Sequence, residues 1–386
     1  MKSVFFATLL ALTTLYLGYH WNQDRNQLQS TMTSLLSEDH RYKKTLSIQV
    51  ARHGERSPKP YFDLVNGPNF QVGFKDLTET GAKTCYELGQ QVARSAGLAF
   101  GDSYDSSEVY VLSTFKKRAS ASARAQMMGL YDKPFAWPLP ADNWFKMAEP
   151  AAEDDYILRA DSATCPRVNQ IESALENDPN TRALYARVDK WLEQRFFPRL
   201  RELTGMPDAD TASMYAVVDY IDWANRNGLD LKMELTEEDW RYIRVADEAG
   251  NYDDLAAQPD QKQMGAWELQ QLYNEASLIL RGRLAMRDAP VLTRYFPQAR
   301  EALSMPKLIL FSGHASNVTP LLELFNHHVL PNPAPASSVW VNFFECESCE
   351  GEERYKLEVL FCNEPRDLSE CELLNPTASE MSHKVD

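Results

Sequence analysis

Basic residues are in deficit: 40 Lys and Arg stand against 55 Asp and Glu in 386 residues, a formal net charge of -15. A general nucleic-acid binder needs a broad basic face to displace counterions, so that class is excluded and any cationic patch must be local. Long apolar runs are also missing once the first twenty residues are past. The early run, Val4 to Leu17, follows Met1-Lys2 and meets no charge until Asp24. It falls short of the roughly 20 apolar residues that a membrane span wants, and it reads as the n- and h-regions of an export signal. No Ala-x-Ala site follows it. A cleaved signal peptide over residues 1–20 and an uncleaved N-terminal membrane anchor both stay open, with 21–44 as a polar stalk. Either places the rest of the chain in the secretory pathway: secreted, lysosomal, or otherwise lumenal or extracellular.

Cysteine is sparse but even in number: Cys85, Cys165, Cys346, Cys349, Cys362 and Cys371. In an exported chain this favours disulfides, although six cysteines allow about 15 pairings. Cys346-x-x-Cys349 lacks the second Cys or His pair of a zinc site, and His327-His328 reads as a solvated helix end. Cross-links near the C-terminus are therefore expected, and no metal. Internal repeats and low-complexity domains are absent as well. With 44% hydrophobic and 25% charged residues, the chain can bury a sizeable core as one large domain or two joined lobes.

What is present is concentrated at Gln49-Val50-Ala51-Arg52-His53-Gly54-Glu55-Arg56-Ser57-Pro58. Ser47, Ile48, Val50 and Ala51 read as a buried strand, and open α/β sheets place ligands in loops at the carboxyl ends of their strands. Arg52 and Arg56 bracket His53 with forked donors suited to phosphate oxygens, while Gly54 lets the backbone turn tightly beside the imidazole. The order Arg-His-Gly-x-Arg-x-Pro resembles the signature of the histidine acid phosphatases, the acid-phosphatase branch of the histidine phosphatase superfamily. Two further motifs fall in that family's order. Strand-like Glu108 to Thr114 runs into Phe115-Lys116-Lys117-Arg118, similar to Ser-Thr-x-x-x-Arg. Strand-like Lys307 to Phe311 runs into Ser312-Gly313-His314-Ala315-Ser316-Asn317, where His314 matches the family's second histidine. Leu77-Thr78-Glu79-Thr80-Gly81 also looks like the opening of the family's first helix, with Thr78 as N-cap.

The resemblance implies an α/β fold: a parallel-sheet core flanked by helices, phosphoglycerate-mutase-like, over 45–145 and 290–386, with a mainly helical cap inserted over 146–289. It implies hydrolysis of small phosphate monoesters without a cofactor. Arg52, Arg56, Arg118 and His314 would hold the phosphate, and His53 would become a phosphohistidine that water then hydrolyses. Surrounding positive charge would keep His53 unprotonated at acidic pH. An N-terminal anchor and a homodimer are the other partnerships left open.

One position departs from the pattern. Where the family carries an acid after the second histidine, this chain has Ala315-Ser316. A positioned general acid contributes roughly 10²–10⁴ in rate, and a methyl group offers none of it. Three explanations stand: another carboxylate such as Glu55 or a cap acid donates the proton; the chain is a silent relative that binds phospho-ligands; or Ala315 is an engineered Asp-to-Ala substitution in an active phosphatase. A phosphoglycerate-mutase-like transfer also shares Arg-His-Gly, but that branch is cytosolic and lacks the Arg-x-Pro continuation.

Along the rest of the chain, Leu77–Ala96 shows helical spacing at Cys85, Leu88, Val92 and Ala96. Ala119–Tyr131 reads as a packed helix whose N-terminus faces the site. Residues 132–168 lack periodicity and mark departure from the core. Helices are expected over 182–203 (Leu184, Val188, Trp191 and Leu192 on one face), 211–227 (Met214, Val217, Val218, Ile221), from Thr236, and over 264–286. Glu172, Asp219, Asp222 and Trp223 are candidate cleft residues, set against a reading as solvated cap charge. Residues 320–328 read as a short helix, and Val339–Phe344 with Tyr355–Phe361 as an antiparallel hairpin on the sheet's edge. Asn317-Val318-Thr319 fits the glycosylation pattern, but its place beside the site argues against occupancy.

Overall fold

In the computed structural model, residues 41–374 are described except 59–61, 67–72, 74, 96, 142–143, 151–154, 156, 159–169, 171–173, 175–176, 252–266, 326, 328–332 and 364–367. Six strands form one sheet: β1 (Lys43–Arg52), β2 (Val109–Ser113), β3 (Leu308–Gly313), β4 (Ser338–Glu345), β5 (Tyr355–Cys362) and β6 (Glu372–Leu374), in the order β2-β3-β1-β4-β5-β6. The helices are α1 (Glu79–Ser95), α2 (Lys117–Leu130), α3 (Pro179–Arg195), α4 (Phe197–Thr204), α5 (Thr211–Arg226), α6 (Glu237–Asn251), α7 (Trp267–Leu280), α8 (Pro290–Tyr295) and α9 (Ala315–Leu324).

β3 runs parallel to both β1 and β2, with Arg52 opposite Gly313 and Ser113 opposite Ser312. The three strands therefore finish level, and the loops carrying His53, Arg118 and His314 leave the same end of the sheet. β4 is antiparallel to β1 and β5 to β4, so the expected hairpin is present. It is not the edge, however. β6 pairs outside β5, and the sheet is mixed. The reason lies in β4, whose first six residues are all buried and so need cover on both faces and both sides.

Side chains alternate across the sheet as the period of two requires. Leu46, Ile48 and Val50 face the layer of α7, α8 and α9 together with Ile309, Phe311, Val339 and Val341. Val109, Val111, Leu308 and Leu310 face the opposite layer of α1 and α2, against Leu88, Val92, Ala123 and Met127. Each such aliphatic side chain contributes about 1.5–3 kcal/mol on burial, and a one-residue slip of β1 would exchange it for Ser47 or Gln49. Those two polar side chains are satisfied where they are: Gln126 Nε2 donates to Gln49 Oε1 (2.6 Å) and Ser47 Oγ to Asn342 Oδ1 (2.6 Å). Thr78 caps α1 as expected, its Oγ1 accepting from Gly81 N (3.0 Å).

Helices α3 to α6 form their own apolar cluster with Leu64 and Val65. The single helix expected over 182–203 is two helices, because Phe196 leaves helical geometry and Pro198 at the start of α4 has no N–H to continue the ladder. Trp191 is 40% exposed and falls off the buried face, whereas Leu192, Phe196, Phe197 and Leu200 fill it. Met214, Val217, Val218 and Ile221 of α5 are wholly buried, as their spacing predicts. Thr236 and Asp239 form a reciprocal cap on α6, Thr236 N donating to Asp239 Oδ2 (2.8 Å) and Asp239 N to Thr236 Oγ1 (3.2 Å). α7 is shorter than the expected 264–286. It ends at Leu280 before Gly282, whose φ of +67° no helix continues, and Met286 lies in a separate 3-10 turn. Its Leu269, Leu272, Tyr273 and Ala276 pack with the sheet, away from the α3 to α6 cluster.

The aperiodic stretch after 132 also returns to the core. Ala148 pairs with Leu112, and Ile157 and Leu158 are buried against the sheet. Two disulfides close the C-terminal region, Cys346–Cys349 and Cys362–Cys371, while Cys85 is a buried thiol. Cys165, Glu172 and His328 lie outside the described residues, as do residues 1–40 with the expected signal or anchor and most of the stalk. Among the described residues no helix is long and apolar enough to cross a membrane.

Candidate active site

His53 follows β1 directly and is 4% exposed. Its backbone is pinned on both sides, His53 N donating to Gly313 O (2.9 Å) and Ala336 N to His53 O (3.0 Å). Its Nδ1 lies 2.7 Å from the carbonyl oxygen of Gly54. A carbonyl only accepts, so Nδ1 carries the proton and Nε2 keeps its lone pair. Burial, then Arg52, His314 and Arg118, hold the imidazole well below its ordinary pKa, so it stays neutral in acid.

The loop after His53 is fixed by close contact with α1. A Cβ on Gly54 would lie 2.5 Å from Gly81 O, and one on Gly81 would lie 2.3 Å from Glu55 O. Both positions require glycine for backbone-to-backbone approach, and Gly54 is not needed for a left-handed turn as the sequence reading supposed. Gly54 N donates to Ser122 Oγ (2.9 Å), tying the loop to α2 as well.

The three arginines arrive from three directions. Arg52 ends β1, its Nη1 bonded to Pro333 O, and burial with neighbouring Arg226, Arg56 and Arg118 lowers it to about 10. Arg118 sits in the first turn of α2, where the positive end of the helix adds to its charge. Burial and Arg56 lower its pKa too. The Nε groups of Arg52 and Arg118 are buried donors without an acceptor among the described residues, a state that an anion would relieve. Arg56 donates to Ser57 O (2.9 Å) and pairs with Asp219 Oδ1 (3.2 Å).

His314 follows β3 and N-caps α9. The helix begins at Ala315, five residues ahead of the 320–328 expectation, so its N-terminus opens on the site. Arg118 Nη2 donates to His314 Nδ1 (3.4 Å); Nε2 therefore carries the proton and donates to Thr114 Oγ1 (3.1 Å). The two imidazoles meet edge to face, 5.3 Å between ring centres. Asn317 is buried and its side chain is consumed, Oδ1 accepting from His314 N (2.8 Å) and Nδ2 donating to Leu158 O (2.7 Å).

Sequence reasoning missed how the helical segment meets this cluster. Asp219, Asp222, Trp223 and Arg226 recur at helical spacing along one stripe of α5 and are not solvated: Asp219 bonds Arg56, Asp222 bonds Arg226, and Trp223 is buried. Glu55 Oε1 accepts from Thr78 Oγ1 (2.9 Å) and from Asn227 Nδ2 (2.8 Å), bridging loop, α1 and the end of α5. The periodicity of the stripe was visible; its target, more than a hundred residues away in sequence, was not.

A family model described as histidine phosphatase superfamily (branch 2) matches residues 61–361, a span that takes in Arg118 and His314 and begins just past the His53 loop. Human prostatic acid phosphatase is 25% identical over 293 residues, covering 72% of this chain and 68% of that protein. Human lysosomal acid phosphatase is 27% identical over 191 residues, 47% of this chain and 43% of its own length. Among solved structures, Hafnia alvei phytase in complex with myo-inositol hexakis sulphate superposes with a TM-score of 0.57 at 13% identity, covering 87% of this chain and 92% of that one. Citrobacter braakii phytase gives 0.54 at 14% identity, over 86% and 90%. These two likenesses carry the fold.

Proposed function

Because this chain belongs to branch 2 of the histidine phosphatase superfamily, we propose that it is a phosphoric monoester hydrolase acting through a phosphohistidine on His53. The observation that carries this reading is the hydrogen bond from His53 Nδ1 to Gly54 O, which leaves an Nε2 lone pair among Arg52, Arg118 and His314. Phosphate monoesters resist attack because their oxygens repel nucleophiles. Arg52, Arg56, Arg118 and the Nε2–H of His314 would bind the three non-bridging oxygens, offset that charge and leave phosphorus in line with Nε2 of His53. Arg56 and His314 would exchange their present partners, Asp219 and Thr114, for phosphate oxygens.

His53 Nε2 then takes the phosphoryl group as the alcohol leaves, and water attacks the phosphohistidine to release phosphate. Ala315, at the position of the family's acid, donates no proton. The α3 to α6 helices act as a cap that brings Asp219 to the phosphate loop and sets which alcohols enter. The disulfides and the acid phosphatase relatives support a working place within the secretory pathway.

The test is phosphate release from p-nitrophenyl phosphate between pH 4 and 8, for the unaltered chain and for His53→Ala. Activity that inorganic phosphate inhibits and His53→Ala removes supports the reading. Phosphate binding without turnover at any pH would instead make the chain a silent phospho-ligand binder.

A further inference from the structure

With Ala315 beside His314, the departing alcohol oxygen needs a proton from elsewhere. In an in-line displacement that oxygen lies on the side of phosphorus away from His53 Nε2, so the donor must approach from outside the loop that carries the nucleophile. Glu55 is held by Thr78 and Asn227, Asp219 by Arg56, and Asp222 by Arg226. One more carboxylate adjoins this group. Ile243 and Ala246 lie on the buried face of α6, and Asp247, a turn beyond Ile243, continues that face at a partly covered position where an apolar residue would ordinarily stand. The charges that act on Asp247 come from the site: Arg52 at the end of β1, and Asp222, Arg226 and Asp219 along the α5 stripe. The influence is mutual, for Asp247 also acts on Arg52.

Resting on the phosphohistidine reading, we propose that Asp247 is the general acid for the leaving alcohol and then the general base for the hydrolytic water. In the first step the Nε2–P bond forms, the P–O bond to the alcohol breaks, and the carboxyl proton of Asp247 passes to the departing oxygen. In the second, the Asp247 carboxylate takes a proton from water as its oxygen bonds phosphorus. The P–N bond breaks with its electron pair returning to Nε2, and Asp247 ends protonated for the next cycle. Its environment suits both states: burial first, then Asp222 and Asp219, favour the acid, while Arg226 and Arg52 favour the carboxylate, and the balance raises the group to about 6.

Asp247→Asn tests this against β-glycerophosphate, whose alkoxide leaves poorly, and p-nitrophenyl phosphate, whose phenolate leaves well. The expected result is a fall in kcat/KM on the order of 10²-fold for the alkyl ester and only a few-fold for the aryl ester. The basic limb of the unaltered enzyme's alkyl profile, with a midpoint near 6, should disappear. Ala315→Asp added to Asp247→Asn should restore much of the alkyl activity by supplying an acid at the family's position. Unchanged alkyl turnover in Asp247→Asn, equal loss on both esters, or no rescue by Ala315→Asp would each overturn the assignment. An unchanged inhibition constant for inorganic phosphate reports that the variant is folded. Failure of the phosphohistidine reading shows separately, as activity that survives His53→Ala.

Discussion

His53 and His314 leave neighbouring parallel strands at one end of the sheet with their rings 5.3 Å apart, and their neighbours make them different reagents. His53 is deeply buried and gives its Nδ1 proton to the backbone of its own loop, so the nitrogen that faces outward is a nucleophile. His314 is half-buried, accepts from Arg118 at Nδ1 and points an N–H from Nε2 at Thr114, so it is built to donate. Opposite tautomers of one side chain follow from which partner occupies Nδ1: a carbonyl, which can only accept, or a guanidinium, which can only donate. This is how a site with two histidines separates attack from charge stabilisation.

Substitutions can break that division in order of size. His53→Ala should lower kcat/KM for p-nitrophenyl phosphate by about 10⁴-fold or more, because no other group forms the covalent bond. His314→Ala should cost about 10²–10³-fold, the usual size of losing one oxyanion donor. Comparable losses in the two variants would mean that the histidines share one role.

Arg118→Ala should raise the inhibition constant for phosphate or vanadate about 10–100-fold, since a forked clamp holds ground-state anions as well. It should also move the acidic limb of the pH profile. His53 works only when unprotonated, and Arg118 is one of the charges that lower its pKa, so removing it should shift that limb upward toward the ordinary 6.5. A limb that stays in place would show that burial and Arg52 alone set the nucleophile's charge. Thr114→Val is the finest cut. It removes the acceptor that orients the Nε2–H of His314, and kcat should fall about 3–10-fold with little change at His53.

Much of the nucleophile side was legible because its parts are local in sequence. Val50 and Ala51 mark a buried strand end, Arg52 and Arg56 flank His53 within five residues, and strand-then-motif recurs before Arg118 and His314. Parallel pairing of β1, β2 and β3 then brings the three loops together without further instruction. The contacts that were not legible are those between distant segments. Gly81 reads as one residue of a helix opening, and only its approach to Glu55 explains why nothing larger fits. The α5 stripe of Asp219, Asp222 and Arg226 has the spacing of a solvated face, and burial against Arg56 gives it a different meaning. Asp247 carried a faint signal of its own, an acid next to the apolar Ile243 and Ala246 positions of α6.

The account turns on where the phosphoryl group goes. Rapid denaturation of the chain during turnover of a labelled phosphate monoester should trap label that is stable in base, labile in acid, and carried by the peptide containing His53. Label on the His314 peptide, on an acidic side chain, or on no peptide at all during active turnover would contradict it.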